Sequence, residues 1–194
     1  MVKDLEEKVD EEGNSGYYTE LGEKVEWITE QNYLFNFSQD IKDAIENWAS
    51  TEPSPIKPDQ IKNLTIRELH DSKDHLSISR PNKRISWGIP VPDDSSQTVY
   101  VWLDALSNYK TVMDSFDDFE GEMIHIIGKD INKFHSIYWP AFLSACEYPL
   151  PKEVIVHGHW KKDNFKMSKR LGNIVDPFEI IEKYGQSAVR TYLL

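Results

Sequence analysis

Lys166-Met167-Ser168-Lys169-Arg170-Leu171-Gly172-Asn173 lies between a short β-branched run, Glu153-Val154-Ile155-Val156-His157, and a helix start, Asp176-Pro177-Phe178-Glu179. The run reads as a buried strand. In the helix start, Asp176 is the N-cap and Pro177 occupies the first turn, where its missing N–H costs nothing. Glu179 sits at the capping-box position. Strand, loop and helix in that order point to α/β architecture. The loop carries two lysines three apart around a small polar residue. Free ammonium groups there can swing onto a triphosphate and stabilise charge that develops as pyrophosphate leaves. K-x-x-K alone reads more readily as a solvated charged loop, so the rest of the chain has to decide.

Working outward, Met123-Ile124-His125-Ile126-Ile127 is a second buried strand, and Gly128-Lys129-Asp130 turns it into a helix expected from Ile131 to Cys146. Glycine permits close backbone approach to a ligand, and a carboxylate at such a turn can accept from ribose hydroxyls or simply cap the helix. His135 and Trp139 are four apart, hence on one helical face. Thr98 to Asp104 reads as a central strand running into a helix from Ala105. Earlier, Ser38 is the expected N-cap of a helix through Trp48, and Pro58-Asp59 opens another through about Leu69. Pro53, Pro55 and Pro58 mark a loop. Leu76 to Arg80 alternates like a strand, and Ser86 to Pro92 reads as a short strand with a proline-bounded turn. Tyr17 through Trp27 reads as a short β element, whereas Met1 to Asn14 is charged, nearly free of large apolar residues, and expected to lack order.

The bulk composition limits the alternatives. The chain has 194 residues, 39% hydrophobic and 12% aromatic, enough for one ordinary domain with a real core. No stretch approaches the roughly 18 apolar residues of a membrane span. The single cysteine, Cys146, excludes an internal disulfide and a cysteine-based zinc knuckle, and is expected to be buried. The net charge of −11 argues against a nucleic-acid binder only on average, because residues 1–30 carry ten acids against three lysines. Positive charge gathers later, at Lys161, Lys162, Lys166, Lys169 and Arg170, so the loop keeps its local field. The acidic N-terminus also has the wrong composition for a transit peptide.

K-M-S-K-R resembles the KMSKS signature of class I aminoacyl-tRNA synthetases, and its setting is similar to the methionyl-tRNA synthetase family. His75-Leu76-Ser77-Ile78-Ser79-Arg80, Trp87-Gly88-Ile89-Pro90-Val91-Pro92 and Tyr100-Val101-Trp102-Leu103-Asp104-Ala105 carry the resemblance. So do His125 to Asp130, Phe134-His135, Tyr138-Trp139-Pro140-Ala141-Phe142-Leu143 and His157-Gly158-His159-Trp160, in the family's order from about Gly16 onward.

The resemblance implies the second half of a Rossmann-type nucleotide-binding fold, with parallel strands and flanking helices. It divides the chain into an acidic, disordered tail (1–15), the end of a connective insertion (16–37), catalytic-domain residues 38–175 and the start of a helical region (176–194). It implies methionine–tRNA ligase activity: ATP-dependent formation of methionyl-adenylate and transfer to tRNA. ATP would come with magnesium, and no zinc is expected. Lys166 and Lys169 would be catalytic, stabilising the leaving pyrophosphate, with Met167 and Ser168 shaping the ATP loop. Gly128 and Asp130 would hold the ribose. Trp102, Ala105, Tyr109, His135 and Trp139 would form the methionine side-chain pocket, where a polarisable thioether packs well on aromatic rings, and Arg80 would support the carboxylate. Leu106 departs from relatives with proline there, which affects the pocket's fine shape. The implied partners are methionine, ATP and, through a full-length protein, tRNA(Met), with no membrane. The implied location is the mitochondrial matrix, otherwise the cytoplasm.

Two departures matter. His157-Gly158-His159 is not the family's other signature, H-x-G-H, and no H-x-G-H occurs in the chain. The expectation is therefore a partial catalytic domain lacking that motif and the anticodon-binding domain. A class I synthetase for another apolar amino acid stays open, as does a non-catalytic remnant that binds only tRNA or a partner.

Overall fold

The computed structural model describes residues 5–9, 15–19, 24–25, 28–83, 87–115, 121–169 and 172–193. The chain divides into two compact units, one of residues 1–35 and 77–104 and one of residues 36–76 and 105–194.

The first unit is built from antiparallel strands. β1 (Leu5–Val9), β2 (Ser15–Thr19) and β3 (Lys24–Val25) form one sheet in that order. Leu5–Val9 thus forms a paired strand inside the segment expected to lack order: its backbone finds partners in Ser15–Thr19, despite the charged side chains. The short strand β4 (Leu34–Asn36) carries the chain out of this unit. On its return, β7 (Ser79–Pro81), β8 (Pro90–Val91) and β9 (Asp94–Val99) form a second sheet in the order β7–β9–β8. A polar chain ties residues 31–33 to it. Tyr33 N–H donates to the fully buried Ser79 Oγ (2.8 Å), whose hydroxyl donates to Gln97 Oε1 (2.8 Å). Gln97 Nε2 in turn donates to Gln31 O (2.8 Å).

The second unit contains α1 (Gln39–Ala49), β5 (Ile56–Lys57), α2 (Asp59–His70), β6 (His75–Ser77), the larger part of α3 (Val101–Asp114), β10 (Ile124–Gly128), α4 (Trp139–Ala145) and β11 (Glu153–His157). After these come β12 (Lys161–Lys162), β13 (Phe165–Lys166), α5 (Pro177–Tyr184) and α6 (Gln186–Leu193). Its sheet has the order β10–β11–β5 and is parallel throughout. Ile127, Val154 and Val156 form a buried cluster on one face, with Trp48, Ile61 and Ile131 packed against it. Fully burying one such aliphatic side chain contributes roughly 1.5–3 kcal/mol. On the other face of β10, Ile124 and Ile126 are 50% and 72% exposed, so the run read as buried is covered on one side only.

Several polar groups in the interior are paired. Asn132 Nδ2 donates to Thr65 Oγ1 of α2 (3.0 Å), and Ser136 Oγ donates to Asn132 Oδ1 (2.8 Å). Lys42 of α1 lies buried along its stem and donates to Ser72 O (2.9 Å) and Asp74 Oδ1 (2.8 Å). Trp48 Nε1 donates to Pro151 O (2.9 Å), fixing α1 to the entry of β11.

Two further expectations need correcting. Thr98 to Asp104 is not a central strand: β9 ends at Val99 in the antiparallel sheet, and the helix begins at Val101. The Tyr100 carbonyl draws the chain into the helix by accepting from Leu103 N (2.9 Å) and Asp104 N (3.3 Å). Cys146 is exposed, because it caps the end of α4 rather than lying within its buried face. The helix expected over residues 131–146 forms as one continuous helical run over 129–145, opening with a 3₁₀ turn (Lys129–Ile131) and widened by a π turn (Phe134–Tyr138) ahead of α4. Asp176 likewise accepts from Phe178 N (2.8 Å) with Pro177 in the first turn, as the capping pattern implies.

Candidate functional site

Two groups of side chains assemble in the second unit. The first stands at the carboxyl ends of the parallel strands, where Gly128 of β10 is in register with His157 of β11. Such ends, where the chain turns away from the sheet, are the usual ligand sites of open α/β folds. Just past β10, the Asp130 carboxylate accepts from Lys166 Nζ at Oδ2 (3.0 Å). His159 Nε2 lies 3.3 Å from Oδ1 outside hydrogen-bond geometry, and this buried nitrogen has no hydrogen-bond partner. The Lys166 hydrogen bond is the main reason the Asp130 carboxyl is held down at about 2. A Cβ on Gly128 would lie 2.9 Å from Asp130 Oδ1, so a larger residue here displaces the carboxylate from its present position.

Lys166 reaches Asp130 from a two-stranded ribbon. β12 and β13 pair antiparallel, Lys161 opposite Lys166 and Lys162 opposite Phe165. Asp163 and Asn164 both take positive φ (53° and 66°), the backbone of a two-residue hairpin turn whose twist matches the strands. Behind the ribbon, Asn173 bridges the loop: its Oδ1 accepts from Ser168 N (2.8 Å) and its Nδ2 donates to Lys166 O (3.2 Å). Lys169 is exposed, Met167 and Ser168 half-buried, and Gly172 takes φ +64°. Arg170 of the quoted motif lies outside the described residues.

The second group is aromatic. His135 Nδ1 faces the Ile131 carbonyl at 3.0 Å, so this nitrogen carries the proton and Nε2 accepts from the Tyr109 hydroxyl (2.8 Å). The Tyr109 ring lies 4.6 Å from His125, 5.7 Å from His135 and 6.0 Å from Trp139, centroid to centroid. His125 meets His135 edge-on at 5.3 Å. His135 and Trp139 are only 2% and 3% exposed. Burial pushes His125 down to about 4, helped by the charge of His135, and burial lowers His135 as well, so both imidazoles are neutral near pH 7. Burial also raises the Tyr109 hydroxyl, keeping it a donor. Met123, beside the start of β10, presents its sulfur to Trp139 Nε1 (3.2 Å) and His125 Nε2 (3.0 Å).

The structure therefore brings together Gly128, Asp130 and Lys166, and separately Tyr109, His135 and Trp139. Ala105 is exposed on α3 one turn before Tyr109, while Leu106 turns into the core at 1% exposure. Trp102, half-buried at the start of the same helix, belongs to the first unit. So does Arg80, which donates to Ser77 Oγ (2.8 Å) and Ser79 O (2.6 Å) and lies over the Tyr100 ring at 4.2 Å. A surface concavity of about 590 Å³ in that unit, walled by Gln31, Asn82, Lys83 and Gln97 among others, contains none of the expected site residues.

Sequence reasoning did not single out His159, Asn173 or Met123. The signals for the first two are short: a histidine just past β11, the strand paired with β10, and an Asn with both donor and acceptor closing a lysine-bearing loop. Nothing in the sequence marks Met123, because only the fold brings its sulfur to the indole. Among the described residues, no helix is long and apolar enough to cross a membrane.

Comparison with known proteins supplies the lineage. The chain is 50% identical over 182 residues to the probable mitochondrial methionine–tRNA ligase of Dictyostelium discoideum, a match over 90% of this chain and 31% of that protein. It is 43% identical to the mitochondrial methionine–tRNA ligase of Homo sapiens, over 90% of this chain and 30% of the relative. Among solved structures it resembles Mycobacterium tuberculosis methionyl-tRNA synthetase in complex with methionyl-adenylate, with a TM-score of 0.78 and 36% identity. That likeness covers 97% of this chain and 37% of the other. The chain thus spans about a third of the length of these relatives. The model of the class I tRNA synthetases (M) matches residues 15–194, and the chain belongs to that family.

Proposed function

We propose that this chain supplies the ATP-loop side and much of the methionine pocket of a methionine–tRNA ligase. The observation that carries the reading is the pairing of two sites within the ten residues from Asp130 to Trp139. Asp130, bonded to Lys166, opens that stretch, and His135 and Trp139, packed around Tyr109, close it. A ribose held at Asp130 and a thioether held among neutral aromatic side chains are the two ends of an aminoacyl-adenylate. The name of the bound Mycobacterium tuberculosis relative supports the same pairing.

In this reading the first step joins the methionine carboxylate to the α-phosphorus of ATP, supplied as its magnesium salt, and releases pyrophosphate. Lys166 and Lys169 neutralise the departing polyphosphate, with Met167, Ser168 and Asn173 shaping the loop. Gly128 lets the Asp130 carboxylate sit against the strand end, where it accepts from ribose hydroxyls. The neutral His125 and His135 suit an uncharged thioether, since an imidazolium there would be left without a counter-charge. The resemblance assigns Trp102, Ala105 and Arg80 to methionine as well. Catalysis is by positioning and electrostatics, without a covalent enzyme intermediate. The acyl group then passes to tRNA(Met) through the whole protein. The relatives' names support a mitochondrial location.

Methionine-dependent exchange of pyrophosphate into ATP tests the reading, with Lys169→Ala as control and equilibrium dialysis of labelled methionine beside it. Saturable methionine binding that leucine and isoleucine fail to displace is expected, and any exchange should vanish in the variant. A chain that is folded but binds no methionine overturns the reading.

A further inference from the structure

We infer that Met123 is a positioning residue of the methionine pocket, a built-in thioether that orients Trp139 and His125 through its sulfur. This rests on the methionine reading above and goes one layer behind it. The Met123 backbone is fixed, because its carbonyl accepts from Lys152 N (2.8 Å) at the entry of β11. Its side chain is therefore launched from a rigid point beside the first rung of the parallel ladder.

The sulfur meets two ring nitrogens. Trp139 Nε1–H donates to it at 3.2 Å, and His125 Nε2 stands 3.0 Å away. Both rings are buried, and His125 is neutral. A neutral imidazole with Nε2 against a thioether carries its proton there, so the sulfur accepts twice. Trp139 and His125 each pack against Tyr109, whose hydroxyl is bonded to His135. One atom thus fixes the rotation of two rings that wall in the third. Without it, two buried N–H groups lose their acceptor, which makes the original ring orientation unfavourable.

Leucine fills much the same space as methionine but accepts no hydrogen bond, whereas glutamine is of similar length and carries a carbonyl oxygen. The experiment compares the wild-type chain with Met123→Leu and Met123→Gln by calorimetric titration of methionine, with pyrophosphate titrated as a control for the loop. Hydrogen exchange of the Trp139 indole N–H is followed by NMR. Met123→Leu should weaken methionine binding about tenfold, leave pyrophosphate binding unchanged and speed indole exchange. Met123→Gln should recover most of the affinity and the protection. A Leu variant that binds methionine as the wild type does, or a Gln variant as weak as Leu, overturns the inference alone. A wild-type chain that binds no methionine overturns the underlying reading and this inference with it.

Discussion

Lys166 and Asp130 form a hydrogen-bonded ion pair, Nζ to Oδ2 at 3.0 Å, across 36 residues of sequence. Asp130 is half exposed, so the pair adds little to stability, and its value lies in fixing where the lysine and the carboxylate stand. The sign of its pH dependence follows from the depressed carboxyl. The contribution is fully present above the unfolded carboxylate value of about 3.9 and is lost as pH falls through about 2.

Asp130→Asn removes the charge and keeps the shape. Its melting should stay within about 1 kcal/mol of wild type, while ATP binding by calorimetry weakens about tenfold. Unchanged ATP affinity would remove Asp130 from the ribose role.

Gly128→Ala sets a methyl 2.9 Å from Asp130 Oδ1, closer than atoms rest. The carboxylate must swing away, because the strand behind it is held by the parallel ladder. We expect ATP affinity to fall at least as far as in Asp130→Asn, with a stability cost of about 1 kcal/mol. An alanine variant with normal ATP binding would show that the carboxylate has room to move.

His125 and His135 are both held below their ordinary values by burial, so the unfolded chain binds protons that the folded chain refuses. Stability from His125 is complete above about pH 6.5 and declines as pH falls toward about 4. The loss is at most about 3 kcal/mol. Urea unfolding at a series of pH values should show that slope, and His125→Gln should flatten most of it. A wild-type midpoint constant between pH 7 and 4.5 contradicts the neutral, buried assignment.

Asn173→Ala deletes both bonds that close the lysine loop, to Ser168 N and Lys166 O. The loop is exposed, so melting should barely change. Pyrophosphate affinity should drop about tenfold as Lys166 and Lys169 lose their common frame. Full affinity in this variant would mean the lysines find the anion from a disordered loop.

The sequence made the strand-to-loop-to-helix frame legible because its signals are local: β-branched runs for β10 and β11, Asp176-Pro177 for α5. It misjudged Thr98–Asp104 because Val-Tyr-Val-Trp has strand propensity, whereas the Tyr100 carbonyl commits the chain to helix. The helix over residues 131–146 was legible, although apolar spacing cannot reveal its π turn. The site was half legible. Lys166, Asp130 and His135 sit in recognisable patterns, but Met123 acts through the position of one sulfur, which depends on β10, β11 and α4 all being in place.

The order of strands in the parallel sheet has a consequence for how the molecule is made. The central strand, β11, is the last of the three in sequence, and it reaches back to pair with Ile56 and out to pair with Ile124. During synthesis α1 and α2 can form early, but β5 and β10 meet their shared partner β11 only once residue 153 has been added. Both sheet contacts then close late and over long chain separations, which is slow compared with helix formation. Between residues 128 and 153 a growing chain therefore carries both partner strands without β11, and shielding them is a task for chaperones before it is one for the fold.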